Sequence, residues 1–230
     1  MRTFQDKDMV LTGDGSQTFY NAEYREFYHS ISGAIEERRE KFVKPTLPCI
    51  AGKKEIKIFD ICFGIGYNSL CFLREMEKGK VVRIRAFEKD PDILKQMKLV
   101  HVMEPYQKVY HKLQGLILKN LRDKKPGNET ILGNEITLKL YLGDVRNEIL
   151  NYIGNDIDIV LHDPFSPKKL PELWTIEFFK SVSDRMRKGG ILTTYSCASI
   201  IRKNLREAGF LVKDGPVVGR KAPSTIAIKE

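Results

Sequence analysis

The sequence lacks several features that would assign it to a specialised class of protein. No apolar run approaches the ~18 residues that a membrane-spanning helix needs, and residues 1–15 lack the apolar core of a secretory signal. The cysteines fit neither a disulfide framework nor a CxxC metal motif, since they stand alone at Cys49, Cys62, Cys71 and Cys197. These absences predict a cytoplasmic protein with no membrane partner and no metal, whose thiols serve as small core residues.

The composition is that of an ordinary folded protein with an excess of positive charge. With 230 residues, of which 42% are apolar and 30% charged, the chain has room for one large domain or two small ones. Thirty-nine basic and thirty acidic side chains give a net charge of +9. Between Lys168 and Lys221, twelve basic and five acidic residues supply +7 of it. This excess favours a nucleic-acid partner, because phosphate neutralisation supplies most non-specific affinity; a solvated face of helices is the alternative.

From about residue 51 onwards, short apolar segments alternate with amphipathic ones. The apolar runs predict strands at 56–62, 81–87, 136–142, 157–162, 191–195, 210–213 and 224–228. The periodicity predicts helices at 68–78, from Pro91, at 171–187 before Gly189-Gly190, and at 198–208 before Gly209. Such alternation is typical of an α/β protein, with a mostly parallel, Rossmann-like sheet covered by helices on both faces. Ligands of such sheets bind at the carboxyl ends of the strands.

The first predicted strand ends in a turn that suits a nucleotide-like cofactor. Gly64 and Gly66 let the backbone turn tightly between strand and helix and approach a ligand closely. Ser69 occupies the position of the third glycine of a dinucleotide fingerprint, which disfavours a pyrophosphate site. Asp60 is foreign to that fingerprint and suits a ligand that carries a free ammonium group.

Two further carboxylates end the next strands. Glu88 stands where a carboxylate can accept hydrogen bonds from both ribose hydroxyls. Asp144 follows the strand at 136–142, where an adenine amino group would lie, although it could instead cap the next helix. Acceptors for an amine, a ribose and an adenine in this order predict S-adenosylmethionine as the cofactor and a class I methyltransferase fold.

The strand at 157–162 delivers the segment DPFSPKK to the same edge of the sheet. Asp163 and the nearby backbone carbonyls can accept hydrogen bonds from an amine, and the Phe165 ring can stack on a base. A lysine-like amine with a pKa near ~10.4 must lose a proton before it is methylated, which costs about 5 kcal/mol at pH 7. Asp163 is therefore the candidate catalytic residue that orients the amine and receives or relays its proton. The tripeptide Asp-Pro-Phe at 163–165 is, however, also common in ordinary turns.

Other conspicuous residues carry less information. Trp174, the single tryptophan, is expected to pack in the core with two neighbouring phenylalanines. The four histidines have no partner at metal-ligand spacing. The segment GRK at 219–221 is either a hairpin turn or part of the rim of the cleft.

Four segments together resemble a known family: TGDGSQTFYN (12–21), EFYHSISGAIEER (26–38), DPFSPKKLPELWT (163–175) and GFLV with VVGRKAP (209–223). They are similar to the methyltransferase domain of the tRNA 5-methylaminomethyl-2-thiouridine biosynthesis bifunctional protein, and most similar to its single-domain relatives. The resemblance covers nearly the whole chain. It implies methylation of the amine of 5-aminomethyluridine at the wobble position of tRNA, which gives 5-methylaminomethyluridine.

The resemblance also implies roles for individual residues. It implies that S-adenosylmethionine is held by Tyr28, Asp60, Gly64, Gly66, Glu88 and Asp144. It implies that Asp163, with Phe165 beside it, meets the aminomethyl group. The candidates for contact with the RNA substrate are the basic residues Lys168, Lys169, Arg220 and Lys221.

The domain organisation is predicted from the sequence pattern together with this resemblance. Residues 1–50 are expected to form a cap or lid on a Rossmann-like methyltransferase domain of residues 51–230. The resemblance implies that residues 14–17 and 28–30 lie at the cofactor and substrate cleft and act as a lid. The segment around 101–134 is expected to be an insertion, helical at first and then a loop.

The sequence departs from the bifunctional form in two respects. That protein carries a second, flavin-dependent oxidase domain that makes the aminomethyl group, and no fused oxidase domain is expected here, so the substrate would come from another route. Pro164 also replaces a glycine beside Asp163. Two other functions fit the fold: an aminopropyltransferase of the spermidine synthase type, and a catalytically inert RNA-binding protein.

Overall fold

Strands and helices alternate along the chain in the computed structural model, which describes residues 8–123, 129–133 and 135–230. The strands are β1 (Met9–Leu11), β2 (Gln17–Asn21), β3 (Glu26–Phe27), β4 (Glu55–Ile61), β5 (Val81–Glu88), β6 (Glu129–Gly133), β7 (Ile136–Leu142), β8 (Ile157–His162), β9 (Met186–Thr194), β10 (Phe210–Asp214) and β11 (Thr225–Lys229). The α-helices are α1 (Ala34–Glu37), α2 (Tyr67–Glu75), α3 (Pro91–Gln96), α4 (Gln107–Arg122), α5 (Val145–Glu148), α6 (Ile176–Ser183) and α7 (Ser199–Glu207).

The main sheet has the order β10-β11-β9-β8-β4-β5-β7-β6 in the described residues. Strands β9, β8, β4, β5 and β7 run parallel, whereas β11, β10 and β6 run antiparallel to their neighbours. The chain builds outward from β4 to β7 and then returns to β8 on the other side of β4. The predicted Rossmann-like sheet is confirmed, and its switch point lies between β4 and β8, where ligands of such sheets bind.

Alternate residues of the central strands supply two separate core layers. On β4, Ile58 belongs to the layer that contains Leu70 of α2 and Leu113 of α4. Its neighbour Phe59 belongs to the opposite layer, which contains Phe179 of α6. Successive side chains of a strand point to opposite faces, so helices cover both sides and only the strand ends are open to a ligand.

The predicted helix at 171–187 is confirmed in its middle part, α6, and is wrong at both ends. A 3-10 turn (Pro171–Leu173) precedes α6, and the chain is already in β9 from Met186 onwards. The glycine pair lies inside this strand, where the pairing of β8 with β9 shifts register. A Cβ atom on Gly190 would lie 3.0 Å from the carbonyl oxygen of Ile157. The glycines therefore permit close approach of two strands and do not end a helix.

The substitution Gly190→Ala tests this assignment. We expect it to destabilise the protein by about 2 kcal/mol, because the new methyl group has no room between backbone carbonyls. Gly115→Ala is the matched control, since nothing lies within 4 Å of its Cβ position on α4. Denaturant unfolding measures both variants; equal stability of the two would contradict the packing described here.

The N-terminal residues join the main core by way of a helical stretch. Strands β1, β2 and β3 form a separate antiparallel sheet, which the sequence did not predict. A π-helical segment (Arg38–Val43) and a 3-10 segment (Lys44–Ile50) continue α1. The Thr193 hydroxyl of β9 donates to the Phe42 carbonyl at 3.0 Å. Phe42 belongs to the same core layer as Ile58 of β4. The predicted boundary at residue 50 between a cap and the methyltransferase domain stays a prediction.

The expected insertion around 101–134 begins with α4, as predicted, and contributes the antiparallel edge strand β6. The predicted loop lies partly outside the described residues, which omit 124–128 and 134. Within the described ranges, no helix has the length and apolar character to cross a bilayer.

Candidate active site at the carboxyl edge of the sheet

A cavity of about 920 Å³ opens at the carboxyl ends of β4, β5, β7 and β8. The N-terminal segment 21–30 forms its opposite wall. Of the residues that the sequence nominated, those that line the cavity are Tyr28, Gly64, Glu88, Asp144, Asp163, Phe165 and Arg220. The structure thus gathers one set of candidates from widely separated parts of the chain around a single space.

The other nominated residues lie outside the cavity wall. Asp60 is fully buried beneath the glycine turn, and Gly66 begins α2. Lys168 and Lys221 are exposed, and Lys169 is half-buried. The lysines can therefore contact only a ligand that extends beyond the cavity.

The turn after β4 depends on three left-handed positions at alternate residues. Gly64 has φ +57°, and Gly66 has φ +82° with the Phe63 ring only 2.7 Å from where a Cβ would lie. Cys62 adopts φ +62° although it is not glycine, and it lines the cavity. This thiol packs against the core layer of Phe59, as predicted, and also faces the cavity, whereas Cys71 is buried in the opposite core layer.

Glu88 is fixed by three backbone N–H groups. Oε1 accepts from Lys89 and Asp90, and Oε2 accepts from Gly64, each at 2.8 Å. Burial raises the pKa of this carboxyl to about 7, against the effect of the N–H donors. A carboxylate held in this way at the cavity wall keeps lone pairs for hydroxyl donors, which fits the ribose of a nucleoside cofactor.

Asp60 is a buried carboxylate with one oxygen unused. Oδ2 accepts from the Ser69 N–H at 3.1 Å and from the Ser69 hydroxyl at 2.6 Å. Among the described residues, Oδ1 has no hydrogen-bond partner. Burial raises the pKa of Asp60 to about 7. An unpartnered buried acceptor is costly. The role of Asp60 towards an ammonium group stays a prediction, because the carboxylate lies beneath the glycine turn and not on the cavity wall.

Asp144 caps the helix that follows it, which is the alternative that the sequence left open. Its side chain caps α5 by accepting from the Arg146 N–H at 3.0 Å, and it also pairs with the Arg146 guanidinium. It lies on the cavity wall all the same. Its role towards adenine stays a prediction.

Asp163 has one oxygen fixed by the protein. Oδ2 accepts from Arg38 Nε at 3.1 Å, Arg38 Nη2 at 2.6 Å and Asn68 Nδ2 at 3.2 Å. Within the described chain, no hydrogen bond reaches Oδ1. Burial raises the pKa of Asp163 to about 6, while the Arg38 charge opposes the rise. The free oxygen belongs to a residue of the cavity wall and can take a donor from a ligand.

Sequence reasoning missed Arg38 because it stands in the charged run EERREK, which is typical of an exposed helix face. A signal was nevertheless present. Arg38 follows the buried Ile35 by three residues and precedes the buried Phe42 by four, so it lies on the apolar face of the helical turn. Only 3% of its side chain is exposed.

The loop after Asp163 is pinned by side chains that sequence reasoning did not assign to the site. The Tyr195 hydroxyl donates to the Pro164 carbonyl at 3.1 Å, and the indole N–H of Trp174 donates to the Phe165 carbonyl at 3.0 Å. Each of these carbonyl oxygens therefore already accepts one hydrogen bond from the protein and has one further lone pair, so their role towards a substrate amine stays a prediction. Trp174 is buried, as expected, and also holds the loop.

Aromatic rings from the N-terminal segment pack on the same loop. The Phe165 ring centroid lies 4.7 Å from that of Tyr24 and 4.9 Å from that of Tyr28. Glu26 accepts from the N–H group of Ser166 at 3.0 Å and also from its hydroxyl. These three residues of the segment 21–30 thus hold the loop after Asp163 against the cavity.

The segment 14–17 does not follow the expectation for a lid. Asp14 accepts from the backbone N–H of Glu36 at 2.8 Å and from Ser16. Asp14 and Ser16 line a second, smaller cavity beside Met103, and this cavity shares no lining residue with the loop after Asp163. Residues 28–30, by contrast, do line the main cavity.

The charge of the cavity is opposite to that of the chain. Its lining contains nine acidic and four basic residues, although the whole protein carries +9. Such a lining favours a cationic ligand over a phosphate group. In the described ranges, no group of three or more His, Cys, Asp or Glu side chains is placed to hold a metal ion.

Comparisons with known proteins identify the family of the chain. The family model described as "S-adenosyl-L-methionine-dependent methyltransferase" matches residues 105–230. An uncharacterized protein of Methanocaldococcus jannaschii is 30% identical over 96% of this chain. The tRNA 5-methylaminomethyl-2-thiouridine biosynthesis bifunctional protein of Ralstonia nicotianae is 31% identical over 94% of it. The chain spans 59% and 33%, respectively, of the length of these relatives.

Solved structures give the same assignment. The crystal structure of MNMC2 from Aquifex aeolicus matches with a TM-score of 0.84 and 35% identity, covering 96% of this chain and 70% of that one. Spermidine synthase from Thermotoga maritima matches with a TM-score of 0.56 and 13% identity, over 94% and 69% of the two chains, which shows a shared fold alone. The chain therefore belongs to the S-adenosyl-L-methionine-dependent methyltransferases, in the family of the methyltransferase part of the tRNA 5-methylaminomethyl-2-thiouridine biosynthesis bifunctional proteins, and S-adenosylmethionine is its cofactor.

Proposed function

We propose that the protein methylates the amine of 5-aminomethyluridine at the wobble position of tRNA and so makes 5-methylaminomethyluridine. The observation that carries the proposal is Asp163, whose Oδ2 is fixed by Arg38 and Asn68 while Oδ1 is left for a donor from the cavity. An acceptor of this kind, in a cavity with an acidic lining, suits an amine. The names of the related bifunctional proteins point to the same tRNA modification.

The cofactor site is assigned to the strand ends beside Asp163. S-adenosylmethionine supplies an electrophilic methyl group when it is bound. Glu88 would accept from the ribose hydroxyls, and the Gly64 turn would let the backbone approach the cofactor. The unpartnered Oδ1 of Asp60 would face the ammonium group, and Asp144 the adenine. Tyr28, whose hydroxyl donates to Asp90 at 3.2 Å, would close the outer side of this site.

Asp163 would orient the amine and take its proton. An aminomethyl group with a lysine-like pKa is charged at pH 7, and neutralising it costs about 5 kcal/mol. Asp163, whose pKa is about 6, is mostly ionised at pH 7 and accepts hydrogen bonds from the ammonium. Its fixed orientation helps to hold the nitrogen in line for transfer, and alignment of this kind supplies much of the rate.

The rest of the substrate would lie across the mouth of the cavity. The aromatic rings of Tyr24, Tyr28 and Phe165 offer apolar faces to the uracil base. The exposed Lys168 and Arg220 stand near that wall and would meet the phosphates, together with Lys169 and Lys221. A tRNA substrate would place the protein in the cytoplasm.

Aminopropyl transfer is the second candidate, and the acidic lining of the cavity favours it because a diamine is also a cationic acceptor. The two activities differ in the donor. Calorimetry and turnover assays with S-adenosylmethionine and with its decarboxylated form separate them. The proposal predicts tighter binding of the carboxylated donor and methylation of tRNA that carries 5-aminomethyluridine. Tighter binding of the decarboxylated donor, with transfer to a diamine, would overturn it.

Binding of tRNA is expected to depend steeply on salt. Replacing Lys168 and Lys169 with alanine should flatten the slope of log affinity against log salt by about one unit for each phosphate that these lysines neutralise. Lys54→Ala is the matched control, because this exposed lysine precedes β4 at the opposite edge of the sheet. Filter-binding titrations across a salt series measure the slope; equal slopes for the wild type and both variants would contradict phosphate binding at these lysines.

A further inference from the structure

A guanidinium group lies buried between the reactive carboxylate and the N-terminal helical stretch. We propose that Arg38 is the positioning residue of the active site: it locks Asp163 by one oxygen, keeps it ionised, and so leaves the other oxygen ready for the substrate amine. This inference deepens the function proposed above and rests on it. Arg38 acts through Asp163 and is not assigned a contact with the substrate.

The geometry of the pair fixes the rotation of the Asp163 carboxyl group. Two Arg38 nitrogens converge on the same oxygen, at 3.1 and 2.6 Å, and Asn68 adds a third donor at 3.2 Å. A carboxylate oxygen with three donors has no lone pair left for a ligand. Because the donors converge on Oδ2, the amine can be received only at Oδ1.

Arg38 is itself held in place on its other side. Its Nη1 atom pairs with Glu37, which accepts from Lys41 Nζ at 2.6 Å. The guanidinium carbon lies 5.3 Å from the centre of the Phe42 ring. Two buried cations thus alternate with two carboxylates, and the charge of Arg38 is balanced without help from solvent. The π-helical turn at Arg38–Val43 presents this array to the cavity floor.

Among the titratable groups that act on Asp163 in the described residues, Arg38 is a cation that opposes its protonation. The others are Glu37 on the helical stretch, Asp60 and Cys62 at the end of β4, and Tyr195 after β9. The carboxyl groups of Glu37 and Asp60 disfavour a second negative charge nearby, whereas burial raises the pKa values of the Cys62 thiol and the Tyr195 hydroxyl so that both stay neutral in the working pH range. Without Arg38, burial and the neighbouring carboxyl groups would raise the pKa of Asp163 further.

The first test is Arg38→Met, which keeps most of the side-chain volume and removes the charge. We expect methyl transfer at pH 7 to fall at least about tenfold, and the acidic limb of kcat/KM to move up by about one pH unit or more. Affinity for S-adenosylmethionine should stay within about threefold, as calorimetry measures. Arg38→Lys should keep the acidic limb near its original pH but lower the rate. Lysine retains the positive charge but cannot place two N–H donors on Asp163 as the planar guanidinium does. Arg39→Met is the control, since Arg39 pairs with Glu75 and Glu40 away from Asp163.

A double-mutant cycle separates a positioning role from a structural one. In an Asp163→Asn background, Arg38→Met should change the remaining rate by less than about twofold. Equal, additive losses in both backgrounds would overturn the proposal, as would a loss in Arg38→Met that is the same at every pH.

A readout without substrate keeps this inference distinct from the proposed function. Carboxyl carbon NMR of the ligand-free protein, with the Asp163 signal assigned by its loss in Asp163→Asn, reports the pKa directly. We expect that pKa to rise in Arg38→Met and to stay unchanged in Arg39→Met. An unchanged Asp163 titration in Arg38→Met would overturn the inference. Failure of the wild-type protein to methylate aminomethyl-bearing tRNA would instead overturn the proposed function.

Discussion

Asp163→Asn is expected to lower methyl transfer at pH 7 by at least about 100-fold, because a positioned proton acceptor contributes factors of this order and the amide cannot take a proton. The amide oxygen can still accept from Arg38, so the loop should keep its place. Affinity for S-adenosylmethionine should change by no more than about threefold, since Glu88 and the Gly64 turn are untouched. Single-turnover kinetics with saturating cofactor, alongside calorimetry, measures the two effects separately.

The matched control for Asp163→Asn is Asp156→Asn. Asp156 is half exposed and pairs with Lys57 before β8, at the far end of the same strand from Asp163. Its loss should leave both turnover and cofactor affinity near the wild-type values, because exposed ion pairs contribute little. Turnover of Asp163→Asn within about threefold of wild type would remove Asp163 from the mechanism.

Asp60→Asn is expected to stabilise the ligand-free protein while weakening the cofactor site. The asparagine oxygen can accept from Ser69, as Oδ2 does now, and the amide group takes the position of the unpartnered Oδ1. Affinity for S-adenosylmethionine should fall at least about tenfold, because an ammonium group loses its charged partner. One substitution would thus move stability and binding in opposite directions.

The pH dependence of this effect follows from the raised pKa of Asp60. Burial holds that pKa at about 7 in the folded protein, against about 3.9 in an unfolded chain. The neutral form therefore favours folding at acidic pH, and this contribution is lost as the pH rises towards 7. The stability gain of Asp60→Asn should grow by roughly 2 kcal/mol between pH 5 and pH 8. Denaturant unfolding at the two pH values measures it; a gain that is the same at both would contradict the buried, unpartnered carboxylate.

The central strands and the acidic residues at their ends could be predicted from the sequence because both are local signals. Runs such as that of β8 are buried along their whole length and are typical of parallel strands. Glu88 and Asp163 follow such runs, so their place at one edge of the sheet follows from topology. The glycine pair at 189–190 misled the prediction, because a helix end and a close strand contact both require glycine and nothing local distinguishes them.

The partners of those residues could not be predicted in the same way. Arg38 and Asp163 are 125 residues apart, and Glu26 and Ser166 are 140 apart. Their pairing depends on how the N-terminal segment folds back across the sheet, which no local periodicity encodes. Tyr24 packs on Phe165 for the same reason. The sequence thus identifies the acceptors of the site, whereas only the fold reveals what fixes their orientation.

The net charge of the chain and the charge of its cavity have opposite signs, and only the first could be predicted from the sequence. The net charge of +9 indicates a polyanionic partner, but it hides an acidic cavity. The protein can bind a cation inside the cavity and phosphates outside it only if its acidic and basic side chains are separated in space. A tRNA whose modified base carries an amine meets both requirements at once.

The most direct test of this account is the nucleoside composition of tRNA from cells in which the gene has been deleted. Mass spectrometry of digested wobble nucleosides should reveal 5-aminomethyluridine in place of its N-methylated form. The wild-type gene should restore the methylated nucleoside, and a gene encoding Asp163→Asn should not. Wobble nucleosides that are identical with and without the gene would contradict the assignment of this tRNA as the substrate.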